Sequence, residues 1–185
     1  MGKAYKNFWS LNTDEAIVAG ILRNETAKGI EVLMPLNAQE KDVDLVLINP
    51  DKRKFLTIQV KGSRAFEPRK IETKKYGDGS AGWFYFPAKV IQKSTADYFI
   101  FLVYILEHSH KLGRRFIKHH TITIPTGTLK KLVKKSKKTH GGGKYSFLIW
   151  INHTTKKAFD FRDKLYYLSE FLDKEGLKKI NSKLK

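Results

Sequence analysis

Three polar residues on two neighbouring extended runs could carry phosphodiester hydrolysis. Asp44 lies in the first run, and Gln59 and Lys61 lie two residues apart in the second. Side chains alternate along a strand, so Gln59 and Lys61 share one face. A tight turn at Asp51-Lys52 places Asp44 opposite Gln59, and a register two residues away places it opposite Thr57. Either hairpin brings a carboxylate, a carboxamide and an ammonium group together.

A second carboxylate is available from the predicted first helix. Asn12 or Thr13 is the expected cap, Glu15 lies in the first turn and Gly29 ends the helix. Packed across the sheet, this helix could bring Glu15 to Asp44. Carboxylates, water and substrate phosphate are the ligands that Mg²⁺ prefers, so we expect a Mg²⁺ site, with Mn²⁺ as a substitute. The metal would activate water, while a lysine ammonium orients the nucleophile or stabilises the developing anion.

Each of these side chains also has an ordinary structural explanation. Asp44 and Lys61 could form a cross-strand ion pair near a sheet edge. Glu15 in a first helical turn is explained by the helix macrodipole alone. Asp42 has the same parity as Asp44, so a shifted register would exchange the two acids.

Strands alternate with helices along the chain, which predicts an α/β domain with a mixed central β-sheet flanked by helices. The predicted strands are 30–35, 43–48, 55–61, 97–106, 116–124 and 145–152. A packed terminal helix is expected from about Asp163, with Gly176 as a break. We see no linker, so residues 1–185 are predicted to form a single domain, elaborated by a basic surface loop at 63–82 and a basic helix at 126–138.

The charge of the chain indicates a nucleic-acid partner. The sequence has 36 Lys plus Arg against 18 Asp plus Glu, a formal charge of +18. A solvated lysine surface is the alternative, but an excess of this size in one small domain favours binding to phosphates. The candidate contacts are Ser63, Arg64, Arg69, Lys70, Lys74, Lys75, Lys130, Lys131, Lys134 and Lys135. Trp83, Phe84, Tyr85 and Phe86 could stack on bases, although we expect at least two of them in the core.

Several classes of protein are excluded by the composition. No apolar run approaches the roughly 20 residues of a membrane span, and the N-terminus lacks the apolar block of a signal peptide. The chain has no cysteine, which excludes disulfides and thiolate metal sites and favours a reducing, cytoplasmic location. The pairs His108 with His110 and His119 with His120 lack the spacing of a zinc motif, so we expect exposed or phosphate-contacting roles.

The runs Lys41-Asp42-Val43-Asp44-Leu45-Val46-Leu47-Ile48 and Phe55-Leu56-Thr57-Ile58-Gln59-Val60-Lys61-Gly62-Ser63 resemble the split motif of the PD-(D/E)XK, or restriction-endonuclease-like, nuclease superfamily. Its branch with Gln in the acidic position of the lysine motif includes Mrr-like restriction enzymes. The resemblance covers roughly residues 12–106 in the order of elements and about 20 residues in the motif. Val43 stands where the motif has its proline.

The resemblance implies a restriction-endonuclease-like core and a metal-dependent DNA endonuclease, of restriction type or branched-DNA type. It assigns Asp44 as the principal metal ligand, Gln59 as a side-chain oxygen ligand, Val60 as a carbonyl ligand, Lys61 as the catalytic ammonium and Glu15 as a supporting group. A neutral Gln59 binds Mg²⁺ less strongly than an acid. A homodimer is expected because duplex DNA is symmetric. The alternative is a non-catalytic nucleic-acid-binding module with a degenerate nuclease site.

Overall fold

The computed structural model describes residues 13–35, 43–109, 113–136, 139–140, 143–162 and 165–185. The helices are α1 (Thr13–Glu25), α2 (Lys70–Tyr76), α3 (Lys89–Gln92), α4 (Thr126–Ser136) and α5 (Asp173–Leu184), with a 3-10 turn at Ser169–Phe171. The strands are β1 (Glu31–Leu33), β2 (Leu45–Asn49), β3 (Lys54–Gly62), β4 (Arg64–Phe66), β5 (Gly79–Pro87), β6 (Tyr98–Ser109), β7 (Arg114–Pro125), β8 (Thr139–His140), β9 (Lys144–Asn152), β10 (Ala158–Asp160) and β11 (Tyr166–Tyr167).

The first sheet, sheet A, has the strand order β1-β2-β3-β6-β7. Strands β1, β2 and β3 pair antiparallel, β6 lies parallel to β3, and β7 returns antiparallel to β6. The predicted mixed sheet is therefore confirmed. The β2–β3 hairpin has the tighter of the two expected registers, with Leu45 opposite Ile58 and Asn49 opposite Lys54.

Helices cover one face of sheet A. Glu15, Val18, Ala19 and Leu22 are the buried residues of α1, and they recur at the spacing of one helical face. Its apolar members pack with α5 against Ile58 and Val60 of β3. Because side chains alternate along a strand, Gln59 and Lys61 point to the opposite face.

A second sheet covers that opposite face, where the sequence predicts helices. Sheet B has the order β11-β10-β9-β5-β4, with β8 paired to β9. Its inner side chains, among them Phe84 and Phe147, pack against Phe99 and Phe101 of β6. Leu129 and Val133 of α4 pack into the same cluster, so a helix also flanks this side. The predicted single central sheet is thus corrected to two sheets, and the mixed α/β class is confirmed.

The two sheets approach closely at Gly82 of β5. A Cβ at this position would lie 2.5 Å from Val103 Cγ1 and 2.8 Å from Ser63 Oγ. Any larger side chain would require β5 to move away from β6, since packed interiors have little free volume. Gly82 is therefore required for the contact between the sheets.

Two sequence predictions about chain segments are corrected. The segment 63–82, predicted as a surface loop, contains β4, α2 and the start of β5. The terminal helix begins at Asp173 instead of about Asp163, and Gly176 lies inside it. A Cβ on Gly176 would lie 2.2 Å from the Phe171 carbonyl oxygen, so this glycine serves close packing and does not break the helix.

Among the described residues, no helix combines the length and the apolar character required to cross a membrane.

Candidate active site

The candidate site lies where β2 ends and β3 continues. The paired register stops at Leu45 and Ile58, whereas β3 runs on to Gly62. Asp44 immediately precedes β2, and its backbone N–H donates to the Ile58 carbonyl at 2.8 Å. Its carboxylate Oδ2 accepts a hydrogen bond from the Val60 N–H at 2.6 Å. The Asp44 side chain thus takes the place of the missing β2 backbone beside Val60.

The carbonyl of Val60 faces the same gap. The N–H and C=O groups of one strand residue point to the same neighbouring strand, because directly opposed residues exchange both hydrogen bonds. Since the Val60 N–H is directed at Asp44, its carbonyl oxygen points to this side as well. The resemblance assigns this oxygen as a metal ligand, and its direction agrees with that role.

Lys61 forms the cationic part of the site. Its Nζ lies 3.9 Å from Asp44 Oδ2, and the two side chains are 25% and 15% exposed. The separation is at the limit of an ion pair, so attraction is present without a tight hydrogen bond. A partly exposed ammonium held next to a carboxylate can reach a substrate phosphate.

Gln59 is buried at 4% exposure. Among the residues that the structure describes, its Oε1 has no hydrogen-bond partner. Leaving a buried acceptor unsatisfied costs about 1–3 kcal/mol, and such an atom in a folded protein requires an explanation. Gln59 follows Ile58, whose carbonyl accepts the Asp44 N–H, so this acceptor lies on the strand beside Asp44.

The donor set fits a hard divalent cation in kind. Asp44, Gln59 and Val60 offer a carboxylate, an amide oxygen and a carbonyl oxygen, and Mg²⁺ prefers oxygen ligands. In the described ranges, no group of three or more His, Cys, Asp or Glu side chains is placed to hold a metal. The set therefore carries less negative charge than a cluster of carboxylates, and substrate phosphate would have to supply part of the coordination.

Glu15 lies on α1, the helix that packs against Ile58 and Val60. It is 8% exposed and lies on the buried face of α1, which covers Ile58 and Val60. Gln59 and Lys61 point away from that helix. The structure brings Asp44, Gln59, Val60 and Lys61 together, whereas the role of Glu15 as a supporting group stays a prediction.

Asp14 is a carboxylate at this end of β3 that the sequence analysis did not single out. A Cβ on Gly62 would lie 1.9 Å from Asp14 Oδ2, so the carboxylate rests against the backbone next to Lys61. The Tyr104 hydroxyl donates to Asp14 Oδ1 at 2.6 Å. Burial and this hydrogen bond raise the pKa of Tyr104 well above its usual range. Acidic first-turn residues are common, so only tertiary packing distinguishes Asp14 from an ordinary one.

The predicted nucleic-acid contacts near the site differ in their partners. The Ser63 hydroxyl accepts the Tyr104 N–H at 2.7 Å and so helps to join the strands. Arg64 is exposed on β4, three residues after Lys61. Arg69 Nη2 pairs with Glu72 at 2.7 Å but remains 74% exposed. The other candidates of this segment, all exposed on α2, are Lys70, Lys74 and Lys75.

The basic helix α4 begins at the other end of β3. The Thr126 N–H bonds the Asp97 carbonyl, and the Asp97 carboxylate accepts from the Thr57 N–H and hydroxyl. Lys130 donates to the Ser94 carbonyl at 3.0 Å, which gives it a structural partner. Lys131 and Lys134 are exposed, and Lys135 lies in the last turn of the helix.

The remaining sequence candidates have separate outcomes. His120 Nδ1 lies 2.6 Å from Asp173 Oδ2 and is buried, so the expected exposed or phosphate-contacting role is wrong for it. His119 is exposed on β7. Phe84 and Phe86 pack in the core, as expected for at least two of the four aromatic residues. Asp42 and His110 lie outside the described residues.

Compared with known proteins, the chain matches no family model, no curated protein and no solved structure.

Proposed function

We propose that the protein is a metal-dependent DNA endonuclease of the restriction-endonuclease-like kind. The observation that carries the proposal is the cluster at the end of β2. Lys61 Nζ lies 3.9 Å from Asp44 Oδ2, beside a buried Gln59 whose Oε1 has no partner among the described residues. Polar side chains that are desolvated beside specific partners are typical of functional sites.

Two further observations support the proposal. Along the chain, α1, β1, Asp44 with β2, then β3 and the parallel β6 follow the element order that the motif resemblance implies. The formal charge of +18 suits a polyanionic substrate.

The proposed roles of the residues are those that the motif resemblance implies. Asp44 and the Gln59 amide oxygen would hold a Mg²⁺ ion, together with the Val60 carbonyl. When bound, the metal would supply Lewis acidity and a more acidic water. Lys61 would hold the nucleophile in line or stabilise the negative charge that develops on the phosphoryl oxygens. Double-strand cutting would need two copies of this site, so we include a homodimer in the proposal.

The chemistry of Gln59 supports a second candidate function. An amide at this position leaves the site with less negative charge than an acid would, which weakens Mg²⁺ binding. The second candidate is therefore a nucleic-acid-binding module without turnover, in which the basic surface contacts phosphates.

The deciding experiment compares purified wild-type protein with Lys61→Ala. Supercoiled plasmid, linear duplex and a four-way junction are incubated with Mg²⁺, with Mn²⁺ and with chelator. We expect metal-dependent cutting by the wild type and a loss of about 10²–10³-fold in the variant, the range for removing one charge-stabilising group. Lys54→Ala is the matched control, because Lys54 is exposed at the opposite end of the same strand.

The three possible outcomes separate the two candidates. Cutting that is lost in Lys61→Ala and kept in Lys54→Ala supports the endonuclease. Equal cutting by all three proteins would refute the assignment of Lys61 and point to a contaminant. DNA binding without cutting in any protein supports the binding module.

A further inference from the structure

The outer face of sheet B carries aromatic and cationic side chains. This outer face is the side turned away from sheet A. Arg64 of β4 is paired with Trp83 of β5, and Tyr85 is paired with Ser146 of β9. Directly paired residues point to the same side of a sheet, and the neighbours Phe84 and Phe147 point into the core.

Trp83 and Tyr85 form a continuous aromatic surface on the outer face. Their ring centroids are 5.8 Å apart with an interplanar angle of 37°. Trp83 Nε1 donates to the Ser146 hydroxyl at 3.0 Å, which fixes the indole in place. Tyr85 is 47% exposed, and Lys144 Nζ lies 5.0 Å from its ring centroid. A rigid ring pair next to a cation is the arrangement that stacks bases and contacts a phosphate.

A cleft extends this surface across the sheet. Leu148, which is paired with Trp83, forms part of its floor. The cleft has a volume of about 380 Å³, and its charged residues are Arg69, Lys75, Arg162 and Glu72, of which Glu72 pairs with Arg69. The apolar floor of the cleft suits the flat faces of nucleotide bases, and its cationic residues suit the anionic backbone of a nucleotide chain.

The chain connects this face directly to the catalytic candidates. Only Gly62 and Ser63 separate Lys61 from Arg64, and the Ser63 N–H bonds the Leu102 carbonyl of β6. The start of β4 is thereby anchored to the strand that also pairs with Lys61. Arg64 thus lies three residues along the chain from Lys61, on the edge strand of sheet B.

We propose that the outer face of sheet B binds single-stranded DNA by stacking bases on Trp83 and Tyr85. Bases in an intact duplex present their faces only to one another, so a stacking surface selects unpaired nucleotides. This proposal rests on the proposed function, because the bound DNA is a substrate only if the protein is an endonuclease. The preferred substrate is DNA with a single-stranded segment, such as a flap or an overhang, next to the scissile bond.

The test measures binding in chelator, so that it does not depend on cleavage. Fluorescence anisotropy of a labelled oligo-dT and of a blunt duplex is recorded with the wild type, Tyr85→Ala, Tyr85→Phe and Phe55→Ala. Phe55 is the matched control, because it is 67% exposed on β3 near the hairpin turn. We expect Tyr85→Ala to weaken oligo-dT binding about tenfold, within the range measured for one stacked base, and to leave duplex binding unchanged.

Two additional readouts make the result specific. Tyr85→Phe keeps the ring and should bind oligo-dT like the wild type. Binding of oligo-dT should also quench the intrinsic tryptophan fluorescence of the wild-type protein. The Trp83→Phe variant should show less of this quenching.

The inference fails if Tyr85→Ala and Phe55→Ala bind oligo-dT equally well, or if Tyr85→Ala weakens duplex and oligo-dT binding to the same extent. Either result would leave the cleavage test with Lys61→Ala unaffected. Conversely, Tyr85→Ala could weaken oligo-dT binding in a protein that never cuts DNA. That result would support DNA binding by the outer face and would refute the endonuclease proposal.

Discussion

Replacing Gln59 with an acid should create a strong dependence of stability on Mg²⁺. Gln59→Glu places a second carboxylate beside Asp44 at a position that is 4% exposed. Cross-strand neighbours lie about 5 Å apart. With an effective dielectric constant of about 20, two negative charges at that separation repel by about 3 kcal/mol. Lys61, 3.9 Å from Asp44, offsets part of this repulsion.

The expected change in melting temperature follows from that energy. For a chain of this size, 1 kcal/mol shifts the Tm by about 2–4 °C, so the variant should melt about 6–12 °C lower in chelator. A ligand present at a hundred times its Kd returns about 2.7 kcal/mol, so saturating Mg²⁺ should restore most of the loss. Repulsion raises the pKa of the introduced carboxyl, and the assay is therefore run at about pH 8, where it stays ionised.

The assay is thermal unfolding followed by circular dichroism, with and without Mg²⁺. Gln92→Glu on α3 is the control, because it makes the same chemical change at an exposed position away from Asp44. Mg²⁺ should raise the Tm of Gln59→Glu more than that of the wild type or of the control. An equal Mg²⁺ shift in all three proteins would refute the reasoning that Gln59 and Asp44 face one cation site.

Two further predictions concern the scaffold. Gly82→Ala should lower the free energy of unfolding by about 1–3 kcal/mol, because its Cβ would lie 2.5 Å from Val103 Cγ1. Gly20→Ala in α1 should raise the free energy of unfolding by about 0.5–1 kcal/mol, because a Cβ there has no atom within 4 Å. Urea denaturation measures both variants, and the same change in unfolding free energy for Gly82→Ala and Gly20→Ala would contradict this account. The raised pKa of Tyr104 means that the folded state favours the neutral phenol. The resulting contribution to the free energy of unfolding is complete below about pH 10 and is lost as the pH rises further. Tyr104→Phe should remove that alkaline loss, and an unchanged stability profile above pH 10 would argue against the hydrogen bond from Tyr104 to Asp14.

The sequence determined the local part of the site. Alternation along β3 assigned Gln59 and Lys61 to one face, and the short turn after Asn49 allowed two registers, of which the tighter one forms. These features depend on residues fewer than twenty positions apart, so side-chain periodicity and turn length are sufficient to predict them.

The second sheet could not be predicted in the same way. Strand β5 pairs with β9 from Gly79–Asn152 to Pro87–Lys144, and the connection between them includes β6 and β7 of sheet A. Basic and glycine residues in 63–82 suggested a loop, because propensity does not register a distant strand that supplies hydrogen bonds. The outer face with Trp83 and Tyr85 exists only through this long-range pairing.

Tertiary structure alone decided which groups surround the candidate site. The sequence supplied Asp44, Gln59 and Lys61, but the 2.6 Å bond from the Val60 N–H to Asp44 depends on β2 ending before β3 does. The face on which α1 packs placed Asp14 against Gly62 and buried Glu15. Amphipathic periodicity shows that a helix has a buried face, but the packing of α1 against α5 and β3 determines which side of the sheet that face covers.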